Sequence, residues 1–251
     1  MAKYIKVEKK RADILLVENN LAASREQAKA LIMSGVVLCN DKLVKKSGDL
    51  IPCDSQMRLK GQTPYPWVSR GGVKLKAAID GFSIDIRDKI CMDVGSSTGG
   101  FSDVLLHHGA CHIYAIDVGR NQLHWKLRND KRITVMEGVN ARHVKMNDFA
   151  HRPDIIVCDA SFIGLEKVLE SVLDIAKENS ALVALIKPQF QLARADIGKG
   201  GIVSDPALHK KACDFVQNWL DDDKGWRVHG LLESPITGQT GNKEFLIYAT
   251  K

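Results

Sequence analysis

The chain holds 251 residues, 45% of them hydrophobic and 26% charged, enough for one large domain or two smaller ones. No apolar run approaches the roughly 18 residues that cross a bilayer, and residues 1–6 lack the apolar core of a secretory signal, so a cytoplasmic protein with no membrane partner is expected. The net charge is +6, and residues 1–60, with 12 Lys/Arg against 7 Asp/Glu, carry +5 of it; that excess points to a polyanion such as nucleic acid or, more blandly, to a solvated basic face.

In chain order, Ala12, Ile14, Leu15, Leu16 and Val17 start a helix. Ser24 is placed to cap a second helix over 25–32, with Gln27 in the capping-box position and Gly35 at its end. Residues 36–40 read as a strand, Asp41 and Lys42 as a turn, and Leu43 and Val44 as the partner strand. Pro52 and Asp54 punctuate the chain before another short strand at 57–60. The run 61–66 has two prolines in three residues and favours an extended path. Trp67 follows, and packing at a junction between domains is preferred over stacking on a base. The expected division is a first domain at 1–62, a linker at 63–67 and a second domain at 68–251.

From Val68 onward helix and strand alternate. A helix at 74–79 is closed by Gly81. Strands are expected at 89–94, 112–117, 133–136, 154–159, 181–186, 228–232 and 244–248. Leu165, Val168, Leu169, Val172, Leu173 and Ala176 share one face of a helix running to Asn179, and Asp205 is a candidate N-cap for a helix at 206–220. Strands written as continuous apolar runs between helices indicate an α/β fold with a mostly parallel sheet of seven strands.

The first of these strands ends in Asp93 and leads into the small-residue loop Gly95-Ser96-Ser97-Thr98-Gly99-Gly100 and then Phe101. The second ends in Asp117, followed by Val118. In a doubly wound sheet both acids stand at strand carboxyl ends, where such folds bind ligands, and Asp117 is placed to accept hydrogen bonds from a ribose diol. The loop lacks the G-x-G-x-x-G spacing of a dinucleotide site and the Gly-Lys-Ser/Thr of a Walker loop. A nucleoside-containing cofactor is therefore expected, against the alternative of a purely structural turn. The six cysteines, at 39, 53, 91, 111, 158 and 213, form no Cys-x-x-Cys pair, so buried reduced thiols and no metal site are expected, with His107, His108 and His112 nearby not changing this.

Four more charged residues stand at element ends: Lys74, Asp159, Lys187 and Glu244. A lysine directly after an apolar strand is unusual unless paired or functional. Each alone reads as an ordinary ion-pair member. Together, beside a cofactor loop, they read as a site.

Several resemblances follow from these residues. Asp93-x-Gly95-x-x-x-Gly99-Gly100 resembles the first motif of S-adenosylmethionine-dependent methyltransferases, a Rossmann-like class I fold. Arg11, Asp13, Leu16, Ser24, Arg25, Ala28, Ile32, Gly35, Val37 and Asn40 make the first segment similar to the small α+β S4 RNA-binding domain. The order Lys74, Asp159, Lys187, Glu244 resembles the tetrad of FtsJ-class RNA ribose 2′-O-methyltransferases. With the stretches 69–75, 93–101, 158–162, 187–190 and 241–245, nearly the whole chain is similar to the TlyA family, often labelled hemolysin A, whose members methylate cytidine 2′-hydroxyls of rRNA.

The resemblance implies that Asp93, Gly95, Ser96, Ser97, Thr98, Gly99, Gly100, Phe101, Asp117, Val118, Asn140 and Asp159 bind S-adenosylmethionine. It implies that Arg11, Ser24, Arg25, Lys29, Lys42, Lys45, Lys46 and Arg70 contact ribosomal RNA, that the partners are ribosomal subunits and that the substrate is 16S and/or 23S rRNA. Lys187 is the candidate base or hydroxyl-activating group; it must be neutral to accept a proton, which desolvation and the cation of Lys74 would favour. Asp159 would orient both lysines and the cofactor, Glu244 would hold Lys74 or the ribose, and no metal is required. With seven residues after Glu244, no C-terminal extension is expected to contribute. The chain departs from the family pattern at Tyr65, where a basic residue stands two before the tryptophan. A non-catalytic RNA-binding or ribosome-assembly factor remains an alternative, as does the pore-forming hemolysin of the family label, for which the sequence offers no signal peptide, span or amphipathic hairpin.

Overall fold

The computed structural model describes residues 8–19, 21–60, 65–238 and 240–251, and the chain divides into two units, Met1–Pro66 and Trp67–Lys251. In the first unit, β1 (Lys9–Arg11) leads into α1 (Ala12–Glu18) and α2 (Arg25–Met33). Ser24 caps α2, its Oγ accepting from Gln27 N at 3.2 Å, while Gln27 Oε1 accepts from Ala23 N at 2.7 Å. Four short strands follow: β2 (Val37–Cys39), β3 (Lys42–Leu43), β4 (Leu50–Pro52) and β5 (Met57–Leu59). Strands β3, β2 and β5 form one sheet, in that order.

Two details correct the sequence reading. The β2–β3 turn is Asn40-Asp41, both at positive φ (46° and 65°), so Lys42 pairs with Cys39 and Val44 falls outside the strand. Two such residues in succession make the tight hairpin turn that matches strand twist. Strands β1 and β4 were not expected and pair antiparallel, Lys9 opposite Pro52 and Arg11 opposite Leu50. A Lys-Lys-Arg run carries no strand signal, and Pro52 is tolerated because a two-stranded ladder has only edges. Ala12, Leu15, Leu16, Ala28, Ile32, Val37, Ile51 and Met57 close this unit's small core.

The second unit opens with α3 (Gly71–Phe82). It is closed by Ser83 at φ 54°, ψ 47°, not by Gly81. Gly81 serves packing instead: a Cβ there would stand 2.5 Å from Leu232 Cδ1. Then come β6 (Ile90–Val94), α4 (Gly100–His107), β7 (His112–Asp117), α5 (Trp125–Arg128), β8 (Ile133–Glu137) and β9 (Ile155–Cys158). The helix expected over 165–179 is two shorter ones, α6 (Leu165–Val168) and α7 (Glu170–Ile175). The chain opens at Leu169 (φ −94°, ψ −8°) and turns extended at Ala176, yet the six apolar residues of the predicted face are all buried.

Next are β10 (Ala181–Ile186), α8 (Pro188–Gln191), α9 (Pro206–Asn218), β11 (Arg227–Glu233) and β12 (Phe245–Thr250). Asp205 caps α9 as expected, accepting from Ala207 N at 2.9 Å, and a π-helical turn at Trp219–Asp223 ends it.

The seven strands lie in the order β11-β12-β10-β9-β6-β7-β8, with β12 antiparallel to both neighbours and the remaining pairs parallel. This is the doubly wound order with a reversed last strand inserted before the sixth. The order reverses between β6 and β9, so the ligand crevice lies outside their carboxyl ends. Met92, Tyr114, Ile156, Leu182 and Ile247 share one face of the sheet and pack with Leu169 and Trp226 in one core, while Ile113, Val157, Val183 and Leu246 are buried on the other face. Trp67 is buried within this unit, its ring edge-on to His107 at 5.1 Å, where Gly72 leaves room for it.

Cys91, Cys158 and Cys213 are buried as expected, but Cys39 and Cys53 are half-buried and Cys111 is exposed. Among the described residues no helix is long and apolar enough to cross a membrane.

Candidate active site

Four elements deliver the four charged residues to one edge of the sheet. Asp159 follows β9 and Lys187 follows β10, both at carboxyl ends. Strand β12 runs the other way, with Phe245 opposite Ile186, so Glu244 arrives at the same edge from its amino end. Lys74 comes from the first turns of α3. The four form a chain of alternating charge. Glu244 Oε2 lies 2.6 Å from Lys74 Nζ, Lys74 Nζ lies 3.7 Å from Asp159 Oδ2, and Asp159 Oδ1 lies 2.6 Å from Lys187 Nζ. Lys74, Lys187 and Glu244 are buried, while the Asp159 side chain keeps 22% of its surface open.

Lys187 Nζ also donates to Ser161 Oγ at 2.6 Å and to the Asp159 carbonyl at 3.2 Å. Three oxygens thus surround that nitrogen, two by hydrogen bonds and one by charge. A carboxylate stands against Lys187, and Glu244 pairs with Lys74. Cys158, just before Asp159, is no competing nucleophile, because burial pushes its thiol up to about 12.

Two supports of this chain were not anticipated. Gly238 leaves space for Glu244, since a Cβ there would come 2.6 Å from Oε1. Asn242, buried, accepts from Val203 N at 2.9 Å and donates to the Gly201 carbonyl at 2.8 Å, tying the approach to β12 onto a neighbouring loop. Its presence in the stretch 241–245 was the available signal.

The small-residue loop at 95–100 lies beside these residues, Gly95 against the backbone of Asp159 and Ala160. Asp93, fully buried at the end of β6, accepts through Oδ2 from Ser102 N (3.0 Å) and Ser102 Oγ (2.6 Å), which pins the first turn of α4. Its Oδ1 has no partner among the described residues. Burial raises this carboxyl to about 7, with the Ser102 bonds opposing.

Gly95, Ser97 and Gly99 all have positive φ (79°, 46° and 93°), which folds the loop back on itself. Asp117 holds it to β7: Oδ2 accepts from Ser97 N at 2.8 Å and Oδ1 from Gly119 N at 2.7 Å. Ser97, Thr98 and Val118 are exposed, whereas Ser96, Gly99, Gly100 and Phe101 are buried, Phe101 lying against Gly71. Asn140 is exposed and uses its Oδ1 to accept from Arg142 N.

Another unforeseen feature is Phe162, 90% exposed at φ 65°, with its ring 5.2 Å from that of Phe190. A phenylalanine in a left-handed conformation and open to water is strained and costly, and it sits three residues after Asp159.

In the first unit the basic residues divide into two sets. Lys29, Lys42, Lys45 and Lys46 are exposed. Arg11 and Arg25 instead converge on the buried Asp13: Arg11 Nε and Nη2 at 3.0 and 2.9 Å, Arg25 Nη2 at 3.1 Å. Chiefly the Arg11 hydrogen bonds hold the Asp13 carboxyl well below the usual carboxylate range. Both guanidiniums keep about half their surface open. Ser24 has its hydroxyl committed to α2. Arg70, half-buried in the second unit, precedes α3.

Residues 67–251 match the FtsJ-like methyltransferase family model, and residues 10–52 match that of the S4 domain. YqxC of Bacillus subtilis, proposed to be an rRNA methyltransferase, is 44% identical over 244 residues, covering 96% of this chain and 85% of its own. The 16S/23S rRNA (cytidine-2′-O)-methyltransferase TlyA of Mycobacterium tuberculosis is 38% identical over 238 residues, 95% of this chain and 88% of its own. Among solved structures, a Streptococcus thermophilus protein proposed to be a hemolysin superposes with a TM-score of 0.75 at 41% identity, over 98% of this chain and 90% of its own.

Proposed function

The chain belongs to the FtsJ-like methyltransferase family and carries an S4 domain, and from that premise we propose that it methylates the 2′-hydroxyl of a cytidine ribose in 16S or 23S rRNA, with S-adenosylmethionine as donor. The observation that carries this reading is the buried chain Glu244–Lys74–Asp159–Lys187 at the ligand edge of the sheet. S-adenosylmethionine supplies an activated methyl group and a neutral thioether as leaving group. The protein must then hold one hydroxyl in line and take its proton.

The residues present fit that cofactor. Asp93 Oδ1 is a buried acceptor awaiting a donor, and the 95–100 loop is already bent by Asp117, whose remaining lone pairs suit a ribose diol. Asp117, Ser97, Thr98 and Val118 would line the nucleoside side, Asp93 and Asp159 the amino-acid side, and Asn140 the adenine side.

Lys187 is the group that meets the ribose. In its amine form Nζ accepts the 2′-hydroxyl proton as oxygen bonds to the methyl carbon. Asp159 sets its direction, and Lys74, anchored by Glu244, holds Asp159. Positioning of this kind supplies several kcal/mol of barrier reduction. Phe162 offers its open ring to the base of the target nucleotide, as unstacked RNA bases commonly stack on aromatic side chains. Residues 1–62 would grip RNA phosphates through Arg11, Arg25, Lys29, Lys42, Lys45 and Lys46, with Arg70 beside the site; residues 68–251 would carry the transfer.

The test is incubation with radiolabelled S-adenosylmethionine and unmodified 30S and 50S subunits separately, beside Lys187→Ala. Label in rRNA that the variant fails to give is the expected result. Undiminished transfer by Lys187→Ala, or no label on either subunit while the cofactor binds, would overturn the reading.

A further inference from the structure

Lys187 Nζ donates to Ser161 Oγ at 2.6 Å and to the Asp159 carbonyl at 3.2 Å, and a third oxygen, Asp159 Oδ1, stands 2.6 Å away as a charge contact without hydrogen-bond alignment. Nζ is otherwise enclosed, since the side chain is only 7% exposed. A substrate hydroxyl therefore reaches Nζ only by replacing one of the three.

The three are not equally replaceable. The carbonyl belongs to the backbone, and the Asp159 amide is fixed to Val94 O at 3.1 Å. The carboxylate is held by charge between two lysines. Ser161 Oγ is neutral, lies on an exposed residue and needs one χ1 rotation to leave. It is also a hydroxyl, with the same donor and acceptor capacity as a ribose 2′-OH. The next residue is the exposed Phe162, so the path by which a nucleotide would approach runs over Ser161 itself.

We propose that Ser161 is a positioning residue whose Oγ keeps the place of the substrate 2′-hydroxyl on Lys187. In the empty enzyme it takes the shorter of the two hydrogen bonds that Nζ donates. When RNA binds, Oγ swings out and the ribose hydroxyl takes the same position, one O···H–N bond replacing another. For transfer, Lys187 first gives up one proton to solvent and the ribose O–H turns to donate to the freed Nζ lone pair; its proton then moves to that amine as the O–C bond forms and the C–S bond breaks, and Ser161 neither gains nor loses a proton. A nucleotide without the 2′-hydroxyl cannot make the exchange, so Ser161 stays and softens the discrimination between RNA and a deoxy analogue. This inference rests on the methyl-transfer reading above.

The test begins with wild type and Lys187→Ala in the subunit assay. Transfer by the first and not the second establishes the reading independently of Ser161. After the labelled nucleotide is mapped, two RNA stem-loops are prepared that differ only in 2′-OH or 2′-H at that nucleotide, and their affinities are measured for wild type, Ser161→Ala and Ser161→Thr. In Ser161→Ala the hydroxyl fills a vacated partner on Lys187, so the OH/H affinity ratio is expected to rise about five- to tenfold, the worth of one hydrogen bond. KM for the hydroxyl RNA should fall and kcat/KM rise. Ser161→Thr, which restores the hydroxyl, should return the ratio to the wild-type value. An unmoved ratio with kcat cut a hundredfold would make Ser161 a proton carrier and overturn the proposal. An unmoved ratio with unmoved kinetics would make the contact idle and overturn it equally.

Discussion

Lys74 and Glu244, 170 positions apart in sequence, meet at 2.6 Å with both side chains at least 94% buried. Removing Glu244 leaves the buried Lys74 charge with only Asp159, 3.7 Å away and itself shared with Lys187, to balance it. Glu244→Gln should lower the stability of the second unit by about 3 kcal/mol. Lys74→Met/Glu244→Gln should recover more than half of that loss. All four tryptophans, Trp67, Trp125, Trp219 and Trp226, lie in this unit, so urea unfolding followed by tryptophan emission reads it alone. Additive losses in the double variant would show that the two side chains do not interact.

Asp93 makes stability depend on pH. Its carboxyl is raised by burial to about 7, against an ordinary 3.8. Between those values the folded protein keeps a proton that the unfolded chain releases. The stability it contributes is therefore complete below about pH 4 and is lost as pH rises through 7. Wild type should weaken from pH 5 to pH 8 relative to Asp93→Asn, with a slope of up to about 1.4 kcal/mol per pH unit. Parallel pH curves for the two proteins would refute the assignment.

Asp13 behaves in the opposite sense. Arg11 and Arg25 hold its carboxyl below the ordinary range, so its contribution is complete above pH 4 and disappears as pH falls further. Far-UV circular dichroism should show part of the signal lost in acid before the tryptophan emission shifts. Asp13→Asn should abolish that early loss. Arg11→Ala and Arg25→Ala should each reduce the slope of log K against log salt for rRNA binding by about 1; an unchanged slope would place the guanidiniums off the RNA.

Gly99 combines φ 93° with crowding. An added Cβ would stand 2.8 Å from Leu123 Cδ1 and overlap Leu127. Gly99→Ala should cost about 1–3 kcal/mol and weaken S-adenosylmethionine binding measured by calorimetry. Unchanged affinity would show that the loop tolerates re-bending.

Much of this molecule was legible because its signals are local. Strands β7 and β10 fall on the predicted residues, since each is an apolar run bounded by polar or charged residues. Asp159 and Lys187 stood out because charges at the ends of such runs are costly unless used. What the chain concealed depends on distant pairing. That Glu244 reaches Lys74 follows from the antiparallel register of Phe245 on Ile186. The Asn242 clamp depends on Val203 and Gly201, some forty positions earlier. Arg11 and Arg25 read as free cations because the burial of Asp13 emerges only when α1 packs on α2. Ser161 had no role of its own within the stretch 158–162, and only its 2.6 Å approach to Lys187 gives it a part.

Asp117 joins the amides of Ser97 and Gly119 through its two carboxylate oxygens before any ligand arrives. Exposed backbone of this kind ordinarily exchanges its hydrogens quickly with solvent. In the empty protein these two amides should be slowed together, as one unit, while Thr98 between them exchanges freely. The acid proposed to hold the nucleoside thus also stores the order of the loop, so binding need not supply it.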